Sequence, residues 1–266
     1  MTRTATAPVQ ASPKIAMRNV KKAFGSKVVL DGFDLDVMPG ESVVIIGGSG
    51  TGKSVSLKCI LGLLNPDSGE IDIDGQPILG LSKQDRDAVN AKIGMLFQNA
   101  ALFDSISVWE NVAFTLVQGE GMARSKARDI AMEKLGQVGL SAEIGERNPA
   151  QLSGGMRKRV GLARAIAGDP DIIFFDEPTT GLDPIMGHII DKLIVKCVRE
   201  VGATALTITH DMASARRIAD RVTMLYKGKN IWTDRIEKLD SSGNPYVHQF
   251  VNGLAEGPID LPILKN

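Results

Sequence analysis

The feature that most constrains the fold is a glycine-rich loop set between an apolar strand and a helical segment. Residues 43–46 read Val-Val-Ile-Ile, a run that suits one buried strand of a parallel sheet. Residues 47–54 then fit the pattern G-x-x-x-x-G-K-[ST] in full, and residues 55–64 have the apolar spacing of a helix. Glycines let backbone N–H groups turn inward around phosphate oxygens, and the helix N-terminus favours negative charge. The sequence therefore predicts an α/β fold with a phosphate-binding site.

The polar members of this loop have distinct expected roles. The loop consists of Gly47, Gly48, Ser49, Gly50, Thr51, Gly52, Lys53 and Ser54. Lys53 is expected to neutralise the β and γ phosphates of a nucleotide, and the Ser54 hydroxyl to bind Mg²⁺. A glycine-rich turn with a chance lysine would explain neither the strand before the loop nor the helix after it.

A second apolar run ends in two carboxylates. Residues 172–175 read Ile-Ile-Phe-Phe and are followed by Asp176 and Glu177. Ligands of open α/β sheets bind at the carboxyl ends of the strands, so both acids should lie beside the phosphate loop. We expect Asp176 to hold Mg²⁺ through water and Glu177 to act as the general base that polarises an attacking water.

Strand and helix patterns alternate along most of the chain. Hairpin patterns at 15–20 with 28–37, and at 70–73 with a turn at Asp74-Gly75, predict an antiparallel β subdomain. Residues from about 99 to 168 lack a continuous strand pattern and predict a helical subdomain insertion, in which Ser107 and Glu110 have the spacing of a capping box. Buried apolar strands elsewhere predict a mostly parallel core sheet with both faces covered.

The predicted organisation is one domain with two extensions. Residues 1–14 are rich in Thr, Ala and Pro and are interpreted as a flexible N-terminal tail. Residues 15–240 form the nucleotide-binding domain, and residues 241–266 form a C-terminal extension. Val247, Phe250 and Val251 give this extension a small apolar face at helical spacing. That face could pack on its own chain or contact a second copy, and both alternatives stay open.

Composition excludes several classes of protein. The chain has 31 basic and 31 acidic residues, so no net field favours nucleic acid or an anionic membrane. Its apolar runs are shorter than the roughly 20 residues of a membrane span, and residues 1–13 lack the apolar stretch of a secretory signal. Cys59 and Cys197 are isolated, which argues against a thiolate metal site. We therefore expect a cytosolic chain whose membrane role, if any, comes by attachment.

A third motif relates these features to a known family. Residues 152–156 read Leu-Ser-Gly-Gly-Met and precede the Asp176-Glu177 strand. With the phosphate loop, this order resembles the nucleotide-binding subunits of ATP-binding-cassette (ABC) transporters over about residues 15–235. The resemblance implies a P-loop NTPase fold of the ABC ATPase type that binds ATP and Mg²⁺ and hydrolyses ATP. It also implies that Phe24 stacks on adenine, that Gln98 touches Mg²⁺ and the attacking water, and that His210 contacts the γ-phosphate.

The resemblance further implies a dimer of two identical chains. Ser153, Gly154 and Gly155, named here the trans cap, would close over ATP held by a second copy, where Asp183 also meets the partner. A hydroxyl and two N–H groups at a helix start form an anion site that the chain's own phosphate loop does not need. A two-fold dimer then has two equal sites, and the γ-phosphate shifts it between open and closed states.

Met156 narrows the resemblance, because most of the family has Gln there. Met156 followed by three basic residues, together with the segments 181–186, 246–253 and 257–259, resembles the ATPases of Mla-type lipid transporters, which work with MCE-domain proteins. This implies phospholipid transport between membranes for outer-membrane lipid asymmetry. It also implies a peripheral place on the cytoplasmic face of the bacterial inner membrane. The implied partners are an integral-membrane permease, an MCE-domain lipid-binding protein and a small accessory subunit, without nucleic acid.

Two other functions remain as alternatives. One is the ATPase of an importer for another solute, since cargo never touches this subunit. The other is a soluble ABC ATPase without a permease. Leu102, Phe103 and Trp109 are candidates for the wall of a groove that receives a permease helix, or else for the core of the helical insertion itself.

Overall fold

The strands form two sheets, and the helices pack around them. The computed structural model describes residues 12–260, so residues 1–11 of the expected tail and 261–266 of the C-terminal extension lie outside the described residues. The strands are β1 Ile15–Phe24, β2 Lys27–Val37, β3 Ser42–Ile46, β4 Ser68–Ile73, β5 Gln76–Pro77, β6 Ile93–Leu96, β7 Ile172–Asp176, β8 Thr204–Thr209, β9 Arg221–Tyr226 and β10 Lys229–Arg235. The α-helices are α1 Lys53–Ile60, α2 Lys83–Asn90, α3 Val108–Val112, α4 Phe114–Gln118, α5 Arg124–Gln137, α6 Ala142–Gly145, α7 Gly154–Ala165, α8 Pro184–Val201, α9 Met212–Ile218 and α10 Pro245–Val251.

The larger sheet confirms the predicted mostly parallel core. Its strand order is β10-β9-β3-β8-β7-β6, and only the β9–β10 pair is antiparallel. The apolar strands β3 and β8 are buried along nearly their whole length, as expected for strands covered on both faces. The carboxyl ends of β3, β6, β7 and β8 therefore meet at one edge of the sheet, where the polar motifs begin.

The smaller sheet is antiparallel, with strand order β2-β1-β4-β5. Here the predicted first strand, 15–20, is too short, because β1 continues to Phe24 and pairs with β2 as far as Lys27. Register shifts between Val20 and Lys21 and between Lys22 and Ala23 interrupt the alternation of buried and exposed residues. Such bulges preserve pairing while disturbing the sequence pattern, which explains the early end of the prediction.

The helices α3 to α7, named here the helical lobe, lie between β6 and β7. The predicted capping box is present: Glu110 Oε2 accepts hydrogen bonds from the Ser107 backbone N–H at 2.9 Å and from its hydroxyl at 2.7 Å. Trp109 is buried in the core of the lobe and Leu102 packs against it. Phe103, by contrast, lies on the surface, with its ring 4.6 Å from that of Phe114. Of the three wall candidates, Phe103 is thus available to a partner and Trp109 is a core residue.

The helix α10 packs on its own chain. Val247 is fully buried in the main apolar core, and the Tyr246 ring lies 5.0 Å from the Tyr226 ring. The buried Gln249 side chain accepts a hydrogen bond from the Ile259 backbone N–H at 2.6 Å. The apolar face predicted for this extension therefore points inward in the single chain.

Across residues 12–260, every helix is too short or too polar to cross a bilayer.

Candidate functional site

The phosphate loop requires glycine at two points of close contact. Gly47 has φ +153° and Gly52 has φ +109°. A Cβ atom on Gly47 would lie 2.4 Å from the Leu225 carbonyl oxygen, and one on Gly52 would lie 2.7 Å from that of Val29. Both approaches are too short for any side chain. The loop, which connects β3 to α1, therefore packs directly against the backbone of Leu225 and Val29, and these contacts fix its shape.

Lys53 lies at the centre of this loop. Its ammonium nitrogen donates hydrogen bonds to the carbonyl oxygens of Gly47 at 2.6 Å and Gly48 at 3.0 Å. Burial lowers the pKa of Lys53, while the nearby carboxylates of Glu177 and Asp176 act in the opposite direction. The loop therefore presents one buried cation toward the space that a phosphate chain would fill.

A cavity of about 500 Å³ opens over the loop. Its lining residues are Gly48, Ser49, Gly50, Lys53, Ser54, Gln98, Glu177, His210 and Phe250. They come from the phosphate loop, from segments that follow β6, β7 and β8, and from α10. The volume lies within the range usual for small-ligand sites. Sheet topology thus gathers distant predicted residues around one cavity.

Glu177 and His210 form a close side-chain pair in this cavity. His210 Nδ1 lies 2.8 Å from Glu177 Oε2, and the Thr180 hydroxyl donates to the same oxygen at 3.1 Å. Glu177 has φ +48°, a left-handed backbone that is costly for a residue with a side chain, and its N–H donates to the Ile208 carbonyl at 2.9 Å. The carboxylate is therefore held in one orientation. The sequence named both residues but did not predict their pairing.

Asp176 lies behind the cavity lining and fits a metal-binding role. Its Oδ1 atom is buried and has no hydrogen-bond partner within residues 12–260. Burial, and next the neighbouring Glu177, raise the pKa of Asp176, while Lys58, Lys158 and Lys53 act in the opposite direction. Together with the Ser54 hydroxyl and the Gln98 amide it supplies oxygen donors, the ligand type that Mg²⁺ prefers. The residues present thus fit Mg²⁺ bound beside a phosphate chain.

The other predicted residues lie outside this cavity lining. The Phe24 side chain is 50% exposed at the end of β1. Ser153 and Gly154 are exposed at the start of α7, where the Ser153 hydroxyl accepts the Met156 N–H at 3.3 Å. Asp183 caps α8 by accepting the N–H groups of Ile185 and Met186, both at 3.0 Å. Gly155, the third residue of the trans cap, is buried. In the phosphate loop, the Thr51 hydroxyl donates a hydrogen bond to the Gly48 carbonyl oxygen. Neither the trans cap nor Asp183 lines the cavity over the phosphate loop of its own chain.

Sequence reasoning missed one buried residue near the site. Lys158 is 5% exposed, and its ammonium nitrogen donates to the carbonyl oxygens of Gln98 and, at 3.2 Å, Glu177. Burial lowers the pKa of Lys158 to about 8, against the opposing pull of Asp176 and Glu177. Lys158 lies four residues before the buried Leu162, so helical spacing places it on the inner face of α7. That periodicity was the available signal.

Phe250 was also missed as a cavity residue. The sequence placed it on an apolar face of the C-terminal extension, and in the structure it also lines the cavity over the phosphate loop. Only tertiary packing of α10 brings it there, so no local pattern could have found it.

Comparison with known proteins gives consistent matches. A family model described as "ABC transporter" matches residues 30–180. The chain is 41% identical over 247 residues to "Probable ribonucleotide transport ATP-binding protein mkl" of Mycobacterium leprae, covering 93% of this chain and 71% of that protein. It is 41% identical over 261 residues to "Protein TRIGALACTOSYLDIACYLGLYCEROL 3, chloroplastic" of Arabidopsis thaliana, covering 92% and 75%. It is 40% identical over 245 residues to "Intermembrane phospholipid transport system ATP-binding protein MlaF" of Haemophilus influenzae, covering 92% of each.

Solved structures share most of this architecture. A dimeric post-hydrolysis state of the ATP-binding cassette MJ0796, bound to ADP and Pi, superposes with a TM-score of 0.77 and 33% identity, covering 84% of this chain and 98% of that one. The cbiO1 subunit of a Clostridium perfringens transporter complex superposes with a TM-score of 0.78 and 28% identity, covering 86% and 91%.

Proposed function

The chain belongs to the ABC transporter family as an ATP-hydrolysing subunit, and we propose that it works as a homodimer that powers phospholipid transport between membranes. The observation that carries the site assignment is the single cavity in which Lys53, Gln98 and the Glu177–His210 pair meet. Each of these residues follows a different parallel strand, and their convergence is what ATP hydrolysis at a sheet edge requires.

Each residue then has a defined task. The loop N–H groups and Lys53 bind the phosphates, and the exposed Phe24 ring stacks on adenine. Ser54, Gln98 and, through water, Asp176 would hold Mg²⁺, and the ion would supply positive charge against the phosphates. Glu177 accepts the proton of the attacking water. His210 orients that carboxylate through its Nδ1 atom and contacts the γ-phosphate.

The trans cap completes the site of a second copy. Ser153 and Gly154 are exposed at the start of the twelve-residue helix α7, apart from their own cavity. Under two-fold symmetry each cap would cover the ATP of the partner, with Asp183 at the same interface. The dimeric form of the similar cassette supports this arrangement.

Mixing two inactive variants tests the shared site. Lys53→Ala removes the phosphate cation, and Ser153→Arg blocks the cap. Each variant alone should be inactive. In a random mixture, half of the dimers combine the two chains, and one of their two sites is intact. We expect ATPase activity to return to about one quarter of wild type if the sites act independently. Phosphate release and ATP-dependent dimerisation of the mixed proteins measure this, and a mixture that shows neither would count against the shared site.

Phospholipid is the proposed cargo on the basis of Met156 and the similarity to MlaF. A permease would bind where the helical lobe meets the sheet, at a groove of about 170 Å³ that Phe97 and Arg164 line and that does not include Leu102, Phe103 or Trp109. The MCE-domain protein and the small accessory subunit follow from the same resemblance. The chain would then lie peripherally on the cytoplasmic face of the bacterial inner membrane. Similarity to mkl, whose name specifies ribonucleotides, makes a ribonucleotide importer the second candidate.

Reconstitution separates these cargoes. The complex that copurifies with this chain from native membranes is placed in vesicles with labelled phospholipid or with labelled ribonucleotide. We expect ATP-dependent phospholipid transfer to acceptor vesicles that stops when the chain carries Glu177→Gln. ATP-dependent ribonucleotide movement without lipid transfer would favour the importer, and recovery of the chain without any permease would favour a soluble ATPase.

A further inference from the structure

We infer that Lys158 is a positioning residue that holds both hydrolytic segments, at Gln98 and Glu177, to the helix that begins with the trans cap. The inference rests on the proposed function, because it concerns the same ATP site. It gives a function to the buried Lys158 ammonium group, which belongs neither to the phosphate loop nor to the trans cap.

The first support is the pair of acceptors that Lys158 binds. Its ammonium nitrogen donates to the Gln98 carbonyl oxygen and, at 3.2 Å, to the Glu177 carbonyl oxygen. Gln98 follows β6 and Glu177 follows β7, so one side chain joins two separate loops. Both acceptors are backbone atoms. Lys158 therefore fixes the main chain from which the Gln98 amide and the Glu177 carboxylate project, without touching either group.

The second support is the strained backbone of both segments. Glu177 has φ +48°, and Ala100 and Ala101, just after Gln98, have φ +59° and +46°. Such left-handed conformations persist in residues with side chains only where surrounding contacts hold them. Lys158 supplies one such contact, and Arg164, also on α7, donates to the carbonyl oxygens of Ala100 at 2.6 Å and Ala101 at 2.7 Å.

The third support is the close seating of α7 on β6. A Cβ atom on Gly161 would lie 2.7 Å from Leu96 Cδ1, and one on Gly94 would lie 1.9 Å from the Ala165 carbonyl oxygen. Strand β6 therefore meets the backbone of α7 at Gly94, and the Leu96 side chain packs against Gly161. Lys158 lies five residues after Ser153, about 7.5 Å along the helix axis. The helix that covers the partner's ATP is thus fastened to the hydrolytic segments of its own chain.

The test compares Lys158→Met, which keeps length but removes the donor, with Lys158→Arg, which keeps a cation. Displaced catalytic groups lose rate rather than affinity, so Lys158→Met should lower kcat for ATP by about 10- to 100-fold and leave KM within about two-fold. Lys158→Arg should restore kcat to within about three-fold of wild type. In a Glu177→Gln background, the ATP concentration that produces half-maximal dimer, measured by light scattering, should not change with Lys158→Met.

Lys134→Met is the matched control. Lys134 is also a buried lysine of the helical lobe, but it pairs with Asp169 at 2.6 Å, away from the cavity. Its substitution should leave kcat unchanged and lower Tm at least as much as Lys158→Met does. Wild-type kcat in Lys158→Met, a rise in KM alone, or failure of Lys158→Arg to restore kcat would overturn the inference. Absence of hydrolysis by the unaltered protein would instead overturn the proposed function and the inference with it.

Discussion

Replacing Lys53 with alanine is expected to abolish productive ATP binding. Lys53 is the buried cation of the phosphate loop, and its nitrogen lies within 3.0 Å of two loop carbonyls. Without it, the β and γ phosphates would face loop N–H groups alone. Hydrogen bonds to charged groups contribute about 1.5–3 kcal/mol each, so affinity should fall by at least about 10-fold and hydrolysis should drop to background.

Titration of a fluorescent ATP analogue and phosphate release measure these two effects. Lys126→Ala is the control, because Lys126 is an exposed lysine of α5 and lies outside the cavity lining. It should stay within about two-fold of wild type in both assays. Turnover of Lys53→Ala at the wild-type rate would contradict the assignment of the phosphate loop.

Replacing Glu177 with glutamine is expected to separate binding from hydrolysis. The amide keeps the size of the side chain and can still meet the Thr180 hydroxyl, but it cannot accept a proton. Loss of a general base typically costs 10²–10⁴-fold, so kcat should fall roughly by that factor while ATP affinity is kept. The bound nucleotide should then accumulate in a stable dimer.

Single-turnover hydrolysis, equilibrium binding and size-exclusion chromatography with ATP test this prediction together. Glu146→Gln is a suitable control, since Glu146 is an exposed carboxylate of the helical lobe that pairs with Arg128. Retention of more than about a tenth of the wild-type kcat in Glu177→Gln would show that another group takes the proton.

Sequence patterns predicted the parts of the molecule where local rules dominate. Apolar runs such as 43–46 and 172–175 became buried strands because both faces of a parallel sheet must be covered. The Ser107–Glu110 capping box formed because its two bonds need only neighbouring residues. The phosphate loop lies between its predicted strand and helix for the same reason.

What sequence did not predict depends on contacts between distant segments. The Glu177–His210 pair joins residues 33 positions apart on two loops, and their distance is set by the β7–β8 register. Phe250 reaches the cavity only because α10 packs on the core. The bulges of β1 interrupt the alternation of apolar and polar residues, so this alternation does not show how long the strand is. Each case needs the assembled fold.

The backbone contact between α7 and β6 also predicts where inactivating mutations would be found in a genetic screen. A Cβ atom on Gly94 would lie 1.9 Å from the Ala165 carbonyl oxygen, whereas one on Gly161 would meet the movable Leu96 side chain at 2.7 Å. Alleles that enlarge Gly94 would therefore push the helix from the strand more strongly than those that enlarge Gly161. Such alleles would score as null although neither glycine lines the ATP cavity. Suppressors should then arise among the residues that face them, such as Leu96, instead of in the phosphate loop.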